Sequence, residues 1–337
     1  VTDMKEYISL EKETKCNFEI SEKRKQIWNI ELDLLFKLDE ICKKYNLRYW
    51  LDSGTLLGAI RHQGFIPWDD DIDLVMPRSD YDKLVKISKQ EFTEPYYFQI
   101  INNDPKYAGI HAKIRNTNTT AIFKSWLFTD VNQGIFIDIF PLDGVPDNES
   151  EKLELFDKAP KLGKAIKSYY TYDHILSLNP KIVKMLLQRR KIAKSLIKDE
   201  ADYVSKFNEF ENLYRKYPFD DCQKVGSLVI GLCDNKEYIY DRKWFDKTLY
   251  VDFEGYKLPI PAGFKEVLTI SIGSNYMEPK IYPSDHGSVY FDPHVCYKQY
   301  LPKLRKDYSL FSRIKRAIFS KFGGSQFSKI ERELYKL

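Results

Sequence analysis

Apolar side chains recur at steps of three and four residues between positions 22 and 46, with charged side chains between them. This spacing predicts an amphipathic helix that stops at Asn46. Farther along, short apolar runs bounded by turn residues predict strands that alternate with helices. The predicted strands are residues 47–51, 72–76, 96–101, 109–115 and 134–140, the last closed by Pro141, and the predicted helices between them are a short one from 56 to 60 and a longer one from 79 to 91.

This alternation over residues 22–147 predicts a mixed sheet flanked by helices, which places the chain in the α/β (α+β) class. Residues 149–216 are rich in Lys, Leu and Glu, with Gly163 as their only glycine, so an added helical region is expected there. From 225 the pattern returns to strands and turns, in GSLVIGL, LYVDFEGYKLPIP and GSVYFDP. The expected organisation is an N-terminal extension (1–21), a mixed-sheet core (22–147), a helical insertion (148–218), the remainder of the core domain (219–300) and a C-terminal tail (301–337).

The C-terminal tail is strongly basic, with ten Lys or Arg against three Asp or Glu. Apolar residues such as Leu310 and Ile314 fall on one helical face, and basic residues such as Arg313 fall mostly on the other. The pattern predicts a basic amphipathic helix over 308–322, ended by Gly323 and Gly324. Such a helix either lies on an anionic membrane or packs on its own domain.

Composition narrows the class of protein only a little. The length of 337 residues suits one large domain or two modest ones, and a net charge of +4 is too small to indicate a nucleic-acid partner. Five cysteines without a CxxC pair predict reduced thiols rather than a zinc ribbon or a disulfide scaffold. The N-terminus has no apolar leader, and no run approaches the ~18 apolar residues of a membrane span. We therefore expect a cytoplasmic protein, with peripheral contact at the inner face of the plasma membrane as the open alternative.

Acidic residues carry the clearest chemical signal. In Asp71-Ile72-Asp73 two carboxylates are separated by one apolar residue, so on a strand they point to the same side. Asp138 is flanked by apolar residues on a further strand, where an unpaired carboxylate is costly. A shared divalent cation, Mg²⁺ or Mn²⁺, accounts for all three acids. The alternative is a solvated turn at 69–71 and an arginine partner for Asp138.

Gly54 and Thr55 follow a predicted strand and precede a predicted helix. A glycine there lets backbone N–H groups approach an anion, and the helix N-terminus favours phosphate. The Thr55 hydroxyl adds a donor. Gly-Thr followed by D-h-D and then by an acid on a later strand matches the nucleotidyltransferase pattern. Asp69 becomes a further candidate metal ligand, whereas Asp70 is assigned to turn geometry.

Three segments resemble a known family. These are Tyr49–Asp73 (YWLDSGTLLGAIRHQGFIPWDDDID), Pro77–Tyr81 (PRSDY) and Gly134–Asp143 (GIFIDIFPLD). They are similar to the signature of the LicD family, which includes phosphocholine transferases of bacterial surface polysaccharides and whose domain occurs in fukutin and fukutin-related protein. The resemblance is strong over about residues 25–145 and weak over 260–300.

The resemblance implies transfer of a phosphate-linked small group from a CDP-activated donor to a sugar hydroxyl. Phosphocholine from CDP-choline is the first expectation, and ribitol or glycerol phosphate from a CDP donor is the alternative. The implied acceptor is a surface polysaccharide, a teichoic acid or a lipid-linked glycan. The family's metal residues carry over onto Asp71, Asp73 and Asp138, with Asp69 as the further candidate.

One stretch departs from the family pattern. A Gly-Asp-Tyr-Met-like motif, followed by prolines and a histidine, is frequent late in the domain. Here Asn275 replaces the aspartate in the sequence GSNYMEP, and His286 follows at irregular spacing. If this loop shapes the donor pocket, the identity of the transferred group is open.

Several other side chains are candidates for substrate contact, each with a plainer alternative. Arg61 either clamps a phosphate or forms a surface ion pair. Lys113 and Arg115 share one strand face and either meet phosphates or form a solvated edge. His62 is expected to be a structural hydrogen-bonding residue. Aromatic candidates for a cation–π cage, or else for packing, are Trp68, Tyr276 and Tyr282, and His286 is either on the acceptor side or in a turn.

Two other functions compete with this interpretation. Glycosyltransferases also use D-x-D with a nucleotide sugar, but the upstream Gly54-Thr55 and the third acid disfavour that class. An inactive nucleotide-binding relative is disfavoured because clustered, mutually repulsive acids serve no purpose without a cation.

Overall fold

A computed structural model describes residues 5–170, 180–229, 231, 238–281 and 289–308. It confirms the α/β class, with eight helices and thirteen strands in this part of the chain. The strands are β1 (Glu13–Lys15), β2 (Phe18–Ile20), β3 (Trp50–Leu51), β4 (Asp73–Pro77), β5 (Tyr96–Gln99), β6 (Ala112–Asn116), β7 (Thr120–Phe123), β8 (Ile135–Val145), β9 (Lys224–Gly226), β10 (Ile239–Asp241), β11 (Thr248–Phe253), β12 (Tyr256–Pro261) and β13 (Val289–Asp292). The helices are α1 (Glu22–Tyr45), α2 (Ser53–His62), α3 (Arg78–Glu91), α4 (Glu149–Tyr169), α5 (Pro180–Leu196), α6 (Glu200–Arg215), α7 (Phe264–Ser271) and α8 (Tyr297–Asp307).

A seven-stranded sheet forms the centre of the molecule, in the order β10-β9-β8-β4-β3, with β6 also paired to β8 and β5 paired to β6. Strands β4 and β8 are parallel, and the other pairs are antiparallel. Every residue of β8 is buried, so this strand is the axis of the core. Helix α1 packs across β8 and β6 with its apolar stripe.

The first predicted helix is confirmed almost to the residue. Ser21 caps it by accepting a hydrogen bond from the Arg24 N–H, and Asn46 ends it in the left-handed conformation. The predicted strand positions are also confirmed, although most of the strands are shorter than the apolar runs.

Strand β8 corrects one prediction, because it continues through Pro141 to Val145. The Asp138 N–H donates to the Ile72 carbonyl on the β4 side, so the nitrogen of residue 141 faces the other side. There β6 has stopped pairing at Ile139, and β9 starts only at Asp143. A proline at 141 therefore removes no ladder hydrogen bond.

The helical region after residue 148 is confirmed as α4, α5 and α6, with the Asn148 side chain capping α4. LYVDFEGYKLPIP forms the β11–β12 hairpin, whereas GSLVIGL contributes only the end of β9 before Leu228 and Val229 turn helical.

Helices α7 and α8 were not predicted. The expected boundary at 300/301 falls inside α8, whose Leu301 and Leu304 pack in a small cluster with Ile122 and Tyr290. The predicted amphipathic helix over 308–322 lies, apart from Tyr308, outside the described residues.

The N-terminal segment is attached to the core through β1, β2 and Tyr7. The Tyr7 N–H donates to Asn29 Oδ1 at 2.6 Å, and its ring lies 4.9 Å from that of Phe36.

The described cysteines are free thiols; they are Cys16, Cys42, Cys222 and Cys296. Cys233 lies outside the described residues. Among the helices that the structure describes, none is long and apolar enough to cross a membrane.

Candidate active site

Three carboxylates meet where β4 begins beside β8. The parallel register places Asp73 directly opposite Asp138. Asp71 lies just before β4, and one oxygen from each of Asp71, Asp73 and Asp138 lies within 4.8 Å of the others. Ile72 between them is fully buried, as its place in the pattern requires. The strand begins only at Asp73, so Asp71 lies just outside the hydrogen-bonded ladder. Its carboxylate nevertheless lies with that of Asp73, as the predicted alternation requires.

A second acidic group overlaps the first. Asp69, Asp70 and Asp71 also place one carboxylate oxygen each within 4.8 Å of the others. Asp70 is buried and belongs to this group, so its assignment to turn geometry alone was incomplete.

Side chains of helix α1 fix the backbone of the acidic segment 69–71. The Asp69 carbonyl accepts hydrogen bonds from Arg24 Nη1 at 2.6 Å and Trp28 Nε1 at 3.1 Å. Burial, and then the charges of Asp71, Asp70 and Asp69, raise the pKa of the buried Glu31 well above its usual range. The sequence analysis did not identify Arg24, Trp28 and Glu31 as residues of the site. In the sequence they are ordinary positions of an amphipathic helix, and nothing in the pattern distinguishes them from their neighbours.

The first turn of α2 builds the other wall of the site. A Cβ on Gly54 would lie 2.6 Å from Asp69 Oδ2, so the glycine permits a close approach of that carboxylate. Thr55 Oγ1 accepts a hydrogen bond from the Asp73 N–H at 2.8 Å. Gly54 and Thr55 therefore position Asp69 and Asp73, in addition to the phosphate contact that the sequence predicts for them.

Asp138 is paired with a lysine and a histidine rather than with an arginine. His111 Nε2 lies 2.8 Å from Asp138 Oδ1, and the buried Lys113 ammonium donates to the same oxygen. Burial alone would raise the pKa of Asp138, but Lys113 and His111 together bring it well below its usual range. Burial also lowers the pKa of His111. His111 was missed, although period two from Lys113 and Arg115 places it on the same strand face.

The electrostatics of the group favour a cation. Burial, followed by the charges of Asp71 and Asp138, raises the pKa of Asp73 well above its usual range. A hard divalent cation relieves that repulsion, since it prefers carboxylate oxygens. Asp71, Asp73 and Asp138, with Asp69 beside them, therefore fit Mg²⁺ or Mn²⁺ in the chemistry of their donor atoms.

The cationic candidates on β6 are buried, which excludes a solvated edge. Lys113 lies 3.7 Å from the centroid of the Phe136 ring, in addition to its bond to Asp138. Arg115 is fully buried and donates to Gln99 and to the Gly134 carbonyl. Lys113 thus lies at the acid group, whereas the bonds of Arg115 point to a structural role.

The described residues include four further candidates, which are Arg61, His62, Trp68 and Tyr276. Arg61 Nη1 donates to the Tyr276 carbonyl at 2.7 Å and the Glu278 carbonyl at 3.2 Å, so it anchors that loop instead of forming an ion pair there. Trp68 is buried, with its ring 6.0 Å from Phe18 and 6.1 Å from His62. His62 Nδ1 accepts from Arg61 Nε at 3.4 Å. Tyr282 and His286 lie outside the described residues.

Comparisons with known proteins identify the family of this chain. A profile described as LicD/FKTN/FKRP, nucleotidyltransferase domain, matches residues 46–170. The lipopolysaccharide cholinephosphotransferase LicD of Haemophilus influenzae is 30% identical over 251 residues, which cover 73% of this chain and 88% of that protein. The uncharacterized protein RP689 of Rickettsia prowazekii is 41% identical over 176 residues, 52% of this chain and 60% of the relative. Human ribitol 5-phosphate transferase FKRP is 64% identical over 28 residues, 8% of this chain and 6% of that protein.

Proposed function

Since this chain belongs to the LicD family and is a phosphotransferase, we propose that it transfers phosphocholine from CDP-choline to a sugar hydroxyl. The acceptor is a surface polysaccharide, a teichoic acid or a lipid-linked glycan. The name of the Haemophilus relative, a lipopolysaccharide cholinephosphotransferase, supports phosphocholine as the transferred group and a surface glycan as the acceptor.

The observation that carries the proposal is the convergence of Asp71, Asp73 and Asp138 at one point. Two of these acids are fixed by the register of parallel strands, and the third by the segment that α1 and α2 hold. Phosphoryl transfer depends mainly on positioning and charge stabilisation, and a rigid group of oxygen donors supplies both.

Asp71, Asp73, Asp138 and Asp69 would hold Mg²⁺ or Mn²⁺. Bound there, the cation would neutralise charge on the donor pyrophosphate and on the departing CMP.

The side chains of this protein orient and neutralise the reacting groups. The acceptor oxygen attacks the phosphorus of the transferred group, and its new bond forms as the bond from phosphorus to the CMP oxygen breaks. The hydroxyl proton passes to one carboxylate of the acid group. Lys113 and His111 keep Asp138 ionised and fixed in position, while Arg61 holds the loop at Tyr276 and Glu278 near α2. Gly54, Thr55 and Lys113 are the proposed contacts for the donor phosphates.

The place of action follows from the acceptor. A lipid-linked glycan on the cytoplasmic face of the plasma membrane requires a protein that works in the cytoplasm, at or near that surface. Peripheral contact through 308–322 is part of the proposal. Full-length protein and protein lacking the tail should differ in co-sedimentation with liposomes, and equal binding would remove the tail from this role.

Ligand-induced thermal stabilisation tests the donor. The protein is heated with Mg²⁺ and, in turn, CDP-choline, CDP-ribitol, CDP-glycerol, a UDP-sugar and ATP. CDP-choline should raise the unfolding midpoint most and should release CMP when acceptor glycan is added. Preference for the UDP-sugar over every CDP compound would reject the proposal.

Two variants locate the metal. Asp71→Asn should abolish the part of the stabilisation that depends on Mg²⁺, because one of the proposed carboxylate ligands is lost. Asp221→Asn, an exposed acid outside the acid group, is the matched control and should keep it. Unchanged metal dependence in Asp71→Asn would remove Asp71 from the site.

A polyol phosphate is the second candidate for the transferred group. The 64% identity over 28 residues to a ribitol 5-phosphate transferase favours it. Asn275, in the loop that Arg61 anchors, departs from the family pattern and leaves the transferred group open. In the same panel, greater stabilisation by CDP-ribitol or CDP-glycerol than by CDP-choline would select this candidate.

A further inference from the structure

Helix α5 carries an apolar stripe that no other described residue covers. Its inner face packs on α4, with Ala193 buried and Val183 and Leu186 half-buried. The stripe consists of Ile182, Met185, Ile192 and Leu196, each between 43% and 54% exposed. At 3.6 residues per turn these four side chains fall within an arc of about 80°, beside the packed face. Leu187 is also 46% exposed but lies on another face of the helix. A single exposed leucine is ordinary, but four apolar side chains aligned over four turns, with only Arg189 between them, mark a contact surface.

The same helix is basic throughout. Its 17 residues include six Lys or Arg and no Asp or Glu. Lys181 is exposed and lies beside the stripe on the edge away from α4, and the exposed Lys184 and Lys191 lie about 80–100° farther round that side of the helix. The exposed Arg189 lies within the stripe. Long basic side chains in this position keep their charge in water while their stems cover apolar surface.

We propose that α5 docks on an anionic lipid surface, with the stripe in the headgroup region and the basic side chains on lipid phosphates. A helix that combines an apolar stripe, lysines on one side of it and no acids is the form that lies in a membrane interface. This inference goes beyond the proposed function, since it holds for any donor or acceptor.

Charge excludes two other occupants of the stripe. A second copy of α5 would bring six more cations into the contact without any acid to pair with them. The chain's own C-terminal residues 301–337 carry ten Lys or Arg against three Asp or Glu, and so repel the helix as well. An acidic protein partner is separated from a lipid surface by the experiment below.

Flotation of the full-length protein with vesicles tests the inference. The two vesicle types contain phosphatidylcholine alone, or phosphatidylcholine mixed with phosphatidylglycerol. The protein should bind the anionic vesicles and not the neutral ones. The double variant Ile182→Gln with Ile192→Gln should lower the partition coefficient by about tenfold or more, because two apolar side chains no longer enter the interface.

Matched variants separate the stripe from general surface effects. Leu153→Gln changes an apolar residue of α4 that is 62% exposed and lies outside the stripe, and it should leave binding unchanged. Lys184→Gln with Lys191→Gln should weaken binding to anionic vesicles by about tenfold or more, whereas Lys158→Gln with Lys161→Gln on α4 should weaken it far less. The C-terminal tail is present in all of these proteins, so the differences belong to α5.

Circular dichroism should show the same helicity and unfolding midpoint in every variant, because the changed side chains are exposed. Equal binding by the stripe variant and the unchanged protein would overturn the proposal. Failure of the unchanged protein to bind anionic vesicles would also overturn it, and would favour an acidic protein partner instead.

Discussion

At the scale of single residues, the close approach between Gly54 and Asp69 is the most exacting feature of the site. The helix N-terminus at Gly54 has a carboxylate of this same chain beside it, 2.6 Å from where a Cβ would lie. That carboxylate is the far end of a side chain whose backbone carbonyl is fixed by Arg24 and Trp28. An added methyl group therefore displaces Asp69 and leaves its backbone in place.

Gly54→Ala should lower transferase activity on the order of 10- to 100-fold, since displacement of a reacting group by about 1 Å costs that much. The unfolding midpoint should not fall, because alanine favours a helical position over glycine by about 1 kcal/mol. Initial rates of CMP release and thermal unfolding measure the two effects. In an Asp69→Ala background the same change should cost little, because nothing is left to displace. Full activity of Gly54→Ala would contradict the assignment.

The buried Asp52 carboxylate makes stability depend on pH. Burial raises the pKa of Asp52 to about 6 despite its bonds with Ser53. The folded state therefore holds this proton more tightly than the unfolded chain does, so stability is lost as the pH rises from about 4 to 6.

Asp52→Asn removes the cost of ionisation and keeps an oxygen that accepts the Ser53 hydroxyl bond. Relative to the unchanged protein, its free energy of unfolding should rise between pH 4 and pH 7 by up to about 3 kcal/mol. Urea unfolding at several pH values, with a chelator present, measures the difference. The exposed Asp221→Asn should show no such trend, and a flat difference for Asp52→Asn would refute the argument.

At the scale of elements, one buried arginine joins the helical region to the core. Arg78 opens α3 and donates to both oxygens of Asp143 in β8, at 2.6 and 3.0 Å. It also pairs with Glu211 of α6 at 2.5 Å. Burial works against the charge of Arg78, but Asp143 and Glu211 raise its pKa well above its usual range. The Arg78 guanidinium thus connects α3, β8 and α6, which are distant from one another in sequence.

Arg78→Met should lower the free energy of unfolding by about 3–5 kcal/mol, because it leaves the buried Asp143 without its arginine and the buried Glu211 with Arg215 alone, at 3.1 Å. Denaturant unfolding measures the loss. Lys158→Met breaks only the exposed Glu154–Lys158 pair on α4, and it should have no measurable effect. If both variants unfolded alike, the network would not stabilise the fold.

At the scale of the whole molecule, Tyr7 links the N-terminal segment to two distant parts of the chain. Its hydroxyl donates to Asp33 of α1 at 2.7 Å, and its ring contacts Phe36 of α1 and Tyr256 of β12. The Tyr256 hydroxyl donates in turn to the Tyr7 carbonyl. Residues 1–21 were expected to be an extension, and Tyr7 attaches part of this extension to α1 and β12.

Tyr7→Ala should destabilise the protein by about 2–4 kcal/mol through loss of ring packing. Tyr7→Phe removes only the bond to Asp33 and should cost about 1 kcal/mol. Denaturant unfolding of both variants separates packing from hydrogen bonding. Equal losses would assign the whole effect to the hydroxyl.

Local pattern alone determined the positions of α1, the central strands and the helical region, because a helix or strand with one buried face repeats its apolar residues at a fixed period. The same period placed Asp71 and Asp73 together, and the resemblance to the LicD family indicated the transferase class. Only the tertiary structure decided that β8 runs through Pro141 and that Asp138 pairs with Lys113 and His111. It also brought Asp70 into the acid group and set Gly54 against Asp69. These outcomes depend on which strands are neighbours and on which side chains are buried together, and such contacts between distant residues leave no periodic trace in the chain.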